Sequence, residues 1–374
     1  MKDNVLVVVF PSTFSLNRIK PLITNIKKIL KIENRKFHKI RQEGDIIIVE
    51  TDDPVFTSST INTLFGIKKV AIAKQITNNF DSIVNGISKV GVDLFLESER
   101  FLIRVEGHAK GFMTKDVEIA ATSSLIEKTV KKRIKPGTDE KYDRQLYVYL
   151  TKSHAYICIY SDKGLEGIPN NSQNKKMVCC VFDELSAISC IETIKHGFDV
   201  KIVTCFIKES ELLHIAKMLN QLIHKIIKPK IDLEFYKILI DKKPTSLLLT
   251  EITIELLSMI AISNNIKRIS LSLSPLIYPL DFLENMVGEV YKKNLIPYLP
   301  LSGLDSNVIT SAREIGLEKY LPKIKKYGNA KFGNSKKSMK EIRKIAKRAI
   351  RDRKIISIKV AQNNVHDILD KIVS

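Results

Sequence analysis

Apolar positions in the first third of the chain alternate between short continuous runs and helical spacing. The run Val5–Phe10 is typical of a buried strand, whereas apolar residues within Leu16–Leu30 recur every three or four positions between Lys and Arg. The resulting order β-α-β-β-α-β is ferredoxin-like. The predicted elements are strand Val5–Phe10, helix Leu16–Leu30, two strands within 36–50 around the turn Glu43-Gly44-Asp45, helix Thr57–Leu64 and strand Lys69–Ile76.

The rest of the chain predicts two further segments. The first mixes helices with a hairpin whose strands, 145–150 and 155–160, flank a short turn. In the second, apolar runs at Met177–Val181 and Val200–Phe206 enclose a helical stretch, a βαβ signature that predicts a parallel sheet. The helices predicted across both segments are 80–87, 115–133, 186–196, 210–226 with Ser210 as its N-cap, 252–264, 279–293, 306–315 and 365–372.

The charge points to a polyanionic partner. Lys and Arg number 61 against 41 Asp and Glu, a net charge of +20, which favours nucleic acid or an anionic membrane over a merely solvated lysine-rich surface. A membrane is disfavoured because Val5–Phe10 is too short for a signal sequence. The apolar stretch Ser246–Ile262 contains Glu251 and Glu255, so we expect buried elements there.

The five cysteines predict neither a metal site nor a disulfide framework. They form no C-x-x-C motif, and no Cys/His pair has the spacing of zinc ligands. Their apolar flanks predict reduced, buried thiols in a cytoplasmic protein. No cysteine follows position 205; the five are Cys158, Cys179, Cys180, Cys190 and Cys205.

The most specific motif precedes the third segment. Residues 163–175 read KGLEGIPNNSQNK, which resembles the segment that joins the THUMP domain to the ATP-dependent domain in the tRNA 4-thiouridine synthase (tRNA sulfurtransferase) family. Asn171 and Asn174 replace glycines of that pattern. The matching positions are Gly164, Gly167, Ile168, Pro169, Ser172, Gln173 and Lys175.

Three further strings resemble the same family in the same order. Phe65-Gly66-Ile67 lies where the family's N-terminal domain ends, residues 101–116 (FLIRVEGHAKGFMTKD) resemble a strand and loop of the THUMP domain, and residues 298–316 (YLPLSGLDSNVITSAREIG) resemble a late motif. The resemblance implies an α/β protein with a ferredoxin-like domain (1–77), an α/β THUMP domain (78–168) and a Rossmann-like PP-loop domain with a parallel sheet (172–374).

The nucleotide loop departs from the family. There, an S-G-G-x-D-S loop wraps backbone N–H groups around the pyrophosphate of ATP at a helix N-terminus. Here carboxylates replace both glycines, and they add bulk and repel a polyanion. We therefore expect a lost ATP site whose helix is capped by its own acids, with a divergent but working loop as the alternative. The degenerate loop consists of Phe182, Asp183, Glu184, Leu185, Ser186 and Ala187.

The sulfur-carrying residue implied by the resemblance is also missing. Active members use a cysteine late in this domain, but residues 325–330 read KKYGNA. Because persulfide transfer needs a thiolate, we predict no catalytic residue in this chain.

RNA binding is the function that the resemblance leaves intact. The residues that match the family's THUMP strand and loop are Arg104, His108, Lys110, Phe112 and Thr114. A basic cluster follows on the long helix, where cations could contact phosphates or stabilise the helix C-terminus. It comprises Lys128, Lys131, Lys132 and Arg133, followed by Lys135.

The segment 323–354 is the most basic part of the sequence, with fourteen Lys or Arg and two acidic residues. Apolar residues at helical spacing within it predict a helix with one packed and one cationic face. We expect the cationic face to contact RNA through Arg343, Lys344, Lys347 and Arg348.

The sequence therefore predicts a cytoplasmic protein that binds tRNA or another structured RNA, a non-catalytic relative that assists tRNA modification. It predicts no cofactor; ATP-Mg enters only with the alternative of an active ATP-dependent sulfurtransferase supplied by an external sulfur carrier. A second alternative is a basic scaffold for an acidic protein. A partner modification enzyme and a homodimer are compatible with each of these, whereas a membrane and a metal are not expected.

Overall fold

The computed structural model describes residues 5–240, 245–303, 306–318, 337–361 and 363–373. The chain forms two compact units, residues 1–169 and 170–374. Each is a mixed α/β unit built on its own sheet.

The first unit contains one eight-stranded sheet with the strand order β2-β3-β1-β4-β8-β7-β5-β6. Its strands are β1 Val5–Pro11, β2 Lys39–Glu43, β3 Ile46–Glu50, β4 Ile67–Thr77, β5 Arg100–Gly107, β6 Lys135–Pro136, β7 Arg144–Leu150 and β8 His154–Glu166. Its helices are α1 Ile19–Ile32, α2 Pro54–Ile61, α3 Phe80–Leu94 and α4 Thr114–Lys128.

The first four strands have the β-α-β-β-α-β connectivity that the sequence predicts. β1 lies between β3 and β4 and pairs antiparallel with both, with Val7 opposite Val49 and Ile72. Strand β4 also pairs with β8 over most of its length, from Ile67 opposite Glu166 to Thr77 opposite His154. The sheet therefore continues across residue 77, and a domain boundary at that position stays a prediction.

Helices α3 and α4 bury the second hydrophobic core of this unit against β5, β7 and β8. Its members include Ile87, Leu125 and Ile157, none of which is exposed. The predicted helix 115–133 is shorter in the structure: α4 ends at Lys128, a 3-10 turn covers Val130–Lys132, and Arg133 adopts the left-handed conformation.

Two of the sequence motifs meet at the start of β4. The N–H of Gly66 donates to the carbonyl of Glu166 at 2.6 Å, and a Cβ at Gly66 would lie 2.8 Å from the Pro169 ring. A Cβ at Gly164 would lie 2.2 Å from the carbonyl oxygen of Ile67. Close packing thus requires both glycines, against the Pro169 ring at Gly66 and against the Ile67 backbone at Gly164.

The second unit contains a six-stranded sheet with the order β13-β12-β9-β10-β11-β14, in which β14 alone runs antiparallel to its neighbour. Its strands are β9 Lys176–Val181, β10 Asp199–Phe206, β11 Lys230–Lys237, β12 Arg268–Ser270, β13 Ile296–Tyr298 and β14 Lys354–Lys359. Its helices are α5 Glu184–Lys195, α6 Leu212–Ile223, α7 Ser246–Ser263, α8 Leu280–Tyr291, α9 Ser306–Glu314, α10 Met339–Arg351 and α11 Val365–Val373.

Helix α7 begins six residues earlier than the predicted helix 252–264. It is one helix from Ser246, capped by Thr245, whose side chain accepts the N–H of Leu248 at 3.2 Å. Among the described helices, it is the one long and apolar enough to span a membrane, but 67% of its residues are buried within the structure. A helix in the core of a protein has the same length and hydropathy, because burial in protein and burial in lipid both favour apolar residues on all sides of the helix.

The predicted N-cap Ser210 is also wrong. A 3-10 turn at Glu209–Glu211 precedes α6, and the Glu211 carboxylate accepts the N–H groups of Ile207 and Lys208 at 2.9 and 3.3 Å. All five cysteines are buried free thiols, as predicted.

Candidate RNA-contact surfaces and degenerate nucleotide loop

The degenerate loop forms a closed cap on the N-terminus of α5. Asp183 is the N-cap, and its Oδ1 accepts the N–H of Ser186 at 2.8 Å. In return, Ser186 Oγ accepts the N–H groups of Phe182 and Asp183, each at 2.9 Å. This reciprocal capping confirms that the helix is capped by its own acid, and an anionic side chain there suits the positive end of the helix dipole.

Glu184, which the resemblance aligns with the second glycine of the family's loop, is buried. Its Oε1 lies 3.1 Å from Nε2 of His214 on α6, and the residue is 7% exposed. Leu185 and Ala187 are buried as well. The loop therefore packs as part of the core of the second unit.

This arrangement does not fit a pyrophosphate at the start of α5. Phosphate cradles need free N–H groups and backbone that can approach closely. Here the N–H groups of Phe182, Asp183 and Ser186 are bonded to the side chains of Asp183 and Ser186. Within the described ranges, no group of three or more His, Cys, Asp or Glu side chains is arranged to hold a metal ion.

Arg104 lies on β5 with its guanidinium paired to Asp139. The pKa of Arg104 is raised, first by this hydrogen bond and then by the charge of the carboxylate. The pair borders a groove of about 390 Å³ between β5 and α4. In this groove the carboxylate of Glu118 accepts the N–H of Val105 at 2.9 Å and the ammonium of Lys115 at 2.8 Å.

His108 is exposed and follows the end of β5. Its N–H donates to the carbonyl of Leu150 at 2.9 Å, and its carbonyl accepts from Asn78 Nδ2 at 3.0 Å. His108 lines a cavity of about 680 Å³ that is also bordered by Glu43 and Lys152. The two backbone hydrogen bonds hold His108 beside this cavity.

Of the other residues in the predicted THUMP loop, two are half-buried and one is exposed. Phe112 is half-buried and packs edge-on against Phe80, with 5.7 Å between ring centroids. Thr114 is the first residue of α4 and is half-buried, whereas Lys110 is exposed. Phe112 thus belongs to the edge of the hydrophobic core.

The basic cluster at the end of α4 contains one structural lysine. Lys132 Nζ donates to the carbonyls of Val92 and Phe95 at 2.6 and 3.0 Å, at the C-terminus of α3. These contacts stabilise helix carbonyls that have no partner within the helix. Its neighbours in the cluster are exposed and without a side-chain partner among the described residues: Lys128, Lys131 and Arg133.

Helix α10 carries the described part of the basic segment. Ser338 and Glu341 form a capping box at its start, and its buried side packs on α7. Arg343 Nε lies 3.3 Å from Glu255 Oε1, and Glu255 also pairs with Lys293. Three of the predicted contact residues on the helix are exposed without a described partner, namely Lys344, Lys347 and Arg348. Residues 323–336, including the KKYGNA stretch, lie outside the described residues.

Sequence reasoning missed the acids that hold predicted contact residues. Asp139 is 35 positions from Arg104, and Glu255 is far from Arg343 in the chain. Local patterns carry no signal for such pairs. They emerge once β5 and the 136–139 loop, or α7 and α10, are placed side by side.

Comparison with known proteins gives two kinds of match. No protein-family model matches the chain. In sequence, it is 25% identical over 191 residues to a probable tRNA sulfurtransferase of Methanosarcina mazei, covering 50% of this chain and 46% of the relative. It is 23% identical over 188 residues to the probable tRNA sulfurtransferase of Methanosarcina acetivorans, 45% of which is covered. The match therefore spans about half the length of these curated relatives.

Solved structures match over more of the chain. A 4-thiouridine synthetase, crystallised in complex with RNA and with bound ATP, superposes with a TM-score of 0.67 at 14% identity, covering 95% of this chain and 99% of that one. PH1313 from Pyrococcus horikoshii Ot3 superposes with a TM-score of 0.64 at 18% identity, covering 84% of this chain and 100% of that one. Sequence similarity to the tRNA sulfurtransferases and the fold shared with the 4-thiouridine synthetase together confirm that this chain resembles the tRNA sulfurtransferase family.

Proposed function

We propose that this protein binds tRNA, or a similarly structured RNA, and assists tRNA modification without catalysing it. The observation that carries the proposal is the capping of α5 by Asp183 and Ser186, whose side chains take up the N–H groups of Phe182, Asp183 and Ser186 at the start of the helix. The relatives are tRNA sulfurtransferases by name, and the structural neighbour was crystallised with RNA. The RNA-related part of their function is therefore the part proposed for this chain.

The distribution of cations supports RNA binding. Exposed lysines and arginines without acidic partners retain their full charge toward a phosphate backbone. Such residues occur in the first unit at Lys110, Lys128 and Lys131, and in the second on α10. Arg104 reaches RNA only by exchanging Asp139 for a phosphate, so we assign it a secondary contribution.

The thiols support the absence of sulfur transfer. Burial raises the pKa of Cys158 to about 12 and that of Cys180 well above its ordinary value. The hydrogen bond with Cys179, together with burial, raises the pKa of Cys190. These three are therefore neutral thiols near pH 7 and poor nucleophiles. No cysteine follows Cys205 in the sequence, so we propose that a separate enzyme performs the chemistry, in the cytoplasm.

The decisive experiment measures 4-thiouridine in tRNA. Purified full-length protein is incubated with unmodified tRNA, ATP-Mg and a persulfide donor, and nucleosides are quantified by mass spectrometry. We expect no product, no saturable ATP binding by calorimetry at millimolar nucleotide, and salt-dependent binding of tRNA. Product formation or saturable ATP binding would establish the active-enzyme alternative instead.

RNA binding itself is tested in the same preparation by fluorescence anisotropy with labelled tRNA. A steep decline of affinity with salt indicates phosphate contacts. Failure to bind tRNA at low salt, combined with binding to poly-glutamate, would replace the proposal by the scaffold for an acidic protein.

A further inference from the structure

The amino-terminal edge of the second sheet carries a row of basic residues that the sequence analysis did not single out. Neighbouring strands β12, β9, β10, β11 and β14 each place Lys or Arg at this edge, where parallel strands begin and antiparallel β14 ends. We call this set the amino-edge row. It consists of Lys175, Lys176, Lys201, Lys228, Lys230, Lys267, Arg268 and Lys359.

The strand register places most of these residues at the ends of their strands, whereas Lys201 lies two residues further into β10, opposite Val178. Lys176 is opposite Asp199 on β10, and Lys230 is opposite Lys359 on β14. Ile269, the residue after Arg268, is opposite Val178. With strands about 4.8 Å apart, the row across five strands is about 19 Å long.

Only part of the row is neutralised inside the protein. Lys228 pairs with Asp199 at 3.2 Å, and Lys201 pairs with Glu234 at 2.5 Å. The other members have no acidic partner among the described residues, and all of these except half-buried Arg268 are exposed. The third nearby acid, Asp232, accepts a hydrogen bond from the Ser357 hydroxyl at 2.5 Å.

One pair in the row is unfavourable for the fold taken alone. Lys230 and Lys359 are direct partners on antiparallel strands, so their side chains leave the same face of the sheet. Like charges in this position repel each other. An anion bound between them would relieve that repulsion.

The edge also contains a depression that can receive a ligand. A cavity of about 390 Å³ is bordered by four lysines and two acids of this edge: Lys176, Lys201, Lys228, Lys230, Asp199 and Asp232. Helix C-termini that reach this edge attract cations through their dipoles, but Lys176, Lys230 and Lys359 lie on strands. Helix capping therefore accounts for only part of the row.

We propose that the amino-edge row binds the phosphodiester backbone of RNA, an inference that rests on the proposed function and adds a second contact surface to it. A linear row of cations suits a linear polyanion. The opposite edge of the same sheet carries the acidic loop with Asp183 and Glu184. RNA phosphates are thus bound on the side of the second unit away from the former nucleotide loop.

The test compares two double variants of the full-length protein that lose the same charge. Lys176→Gln/Lys230→Gln removes two exposed members of the row. The control, Lys208→Gln/Lys217→Gln, removes two exposed lysines, one just after the carboxyl end of β10 and one on α6. We expect the row variant to bind labelled tRNA about 15- to 30-fold more weakly at about 0.15 M salt, with the log–log salt slope lowered by about 1.4–1.8. The control should stay within about twofold.

Acetylation footprinting of the unmodified protein gives a second measurement that does not depend on variant folding. Bound tRNA should protect Lys176, Lys230, Lys267 and Lys359 from an amine-reactive acetyl ester, as read by mass spectrometry. If the wild type binds tRNA but the row is neither protected nor required, this inference is wrong and the proposed function stands. If the wild type binds no tRNA, both are wrong, and protection of the row by phosphatidylserine vesicles or poly-glutamate alone would assign it to a membrane or an acidic protein.

Discussion

The two edges of the second sheet differ in whether their charged side chains have partners within the fold. At the carboxyl edge, Asp183 accepts an N–H of its own helix and Glu184 lies against His214, so each acid has a partner within the fold. At the amino edge, Lys176 and Lys230 have none among the described residues, and Lys230 faces another lysine. An acid with a partner inside the fold stabilises the fold, whereas a row of exposed like charges without such partners attracts a polyanion.

Helix α10 also has both paired and unpaired charges, and removing the acid that pairs with it gives the largest effect that we expect. Glu255 is 4% exposed and pairs with both Lys293 and Arg343. Glu255→Ala would leave Lys293 without its partner in a mostly buried site, and we expect a loss of about 3–5 kcal/mol in the free energy of unfolding. Urea denaturation followed by circular dichroism measures it.

The control for this prediction is an ion pair of similar length at the surface. Glu289 lies 2.7 Å from Lys292, whose side chain is 73% exposed. Glu289→Ala should cost less than about 1 kcal/mol. Equal losses in the two variants would show that Glu255 is no internal anchor for the cations around it.

The next largest effect is on tRNA affinity, and it concerns the cations of α10 that have no acidic partner among the described residues. Lys344→Gln/Lys347→Gln/Arg348→Gln should weaken tRNA binding by about 50- to 170-fold at about 0.15 M salt and lower the salt slope by about 2–2.7, because three phosphate contacts are lost. Anisotropy titrations over a range of salt concentrations measure both.

A paired cation provides the comparison. Arg313 is exposed but forms two hydrogen bonds with Glu318, at 2.8 and 3.0 Å. Arg313→Gln should leave tRNA affinity within about twofold, since its charge is already neutralised. A loss per residue as large as on α10 would contradict the distinction between paired and unpaired cations.

A smaller effect tests the acidic edge. Asp183→Ala removes the acceptor for the Ser186 N–H, and we expect a loss of about 0.5–2 kcal/mol in thermal unfolding with tRNA affinity unchanged. Asp53→Ala, at the N-cap of α2 where Asp53 accepts the N–H of Phe56 at 3.2 Å, should cost a similar amount. If Asp183→Ala instead left stability intact and created ATP binding, the side chain would be a gate on a working nucleotide site.

Much of the fold follows from the sequence because strands and amphipathic helices carry strong periodic signals. The connectivity of the first four strands and the βαβ unit of the second sheet are of this kind. Helix α7 is buried on most sides, so its continuous apolar run gave no helical period and its first turn was misread. The start of α6 was misread because Glu211 supplies the cap through its side chain, two positions inside the 3-10 turn.

The candidate sites were less predictable. The cap at Asp183 followed from residue type and position alone, since an acid before a helix has a local role. The amino-edge row did not, because its members are up to 184 positions apart in the chain and become neighbours only through sheet order. Within the basic cluster of α4, composition could not separate a lysine that caps another helix from one that faces solvent.

The smallest expected effect distinguishes these two kinds of lysine in the basic cluster of α4. Lys132 Nζ bonds the end of α3, whereas Lys131 is exposed without a described partner. Lys132→Met should lower the free energy of unfolding by about 0.3–1 kcal/mol and leave tRNA affinity unchanged, because its ammonium serves helix carbonyls. Lys131→Met should leave stability within about 0.5 kcal/mol but weaken tRNA binding about four- to fivefold at about 0.15 M salt. Thermal melting and anisotropy are measured on both variants. A loss of stability alone in Lys132→Met and a loss of tRNA affinity alone in Lys131→Met distinguish a lysine that stabilises the fold from one available to RNA. Two variants that differ in neither value would remove that distinction for this cluster.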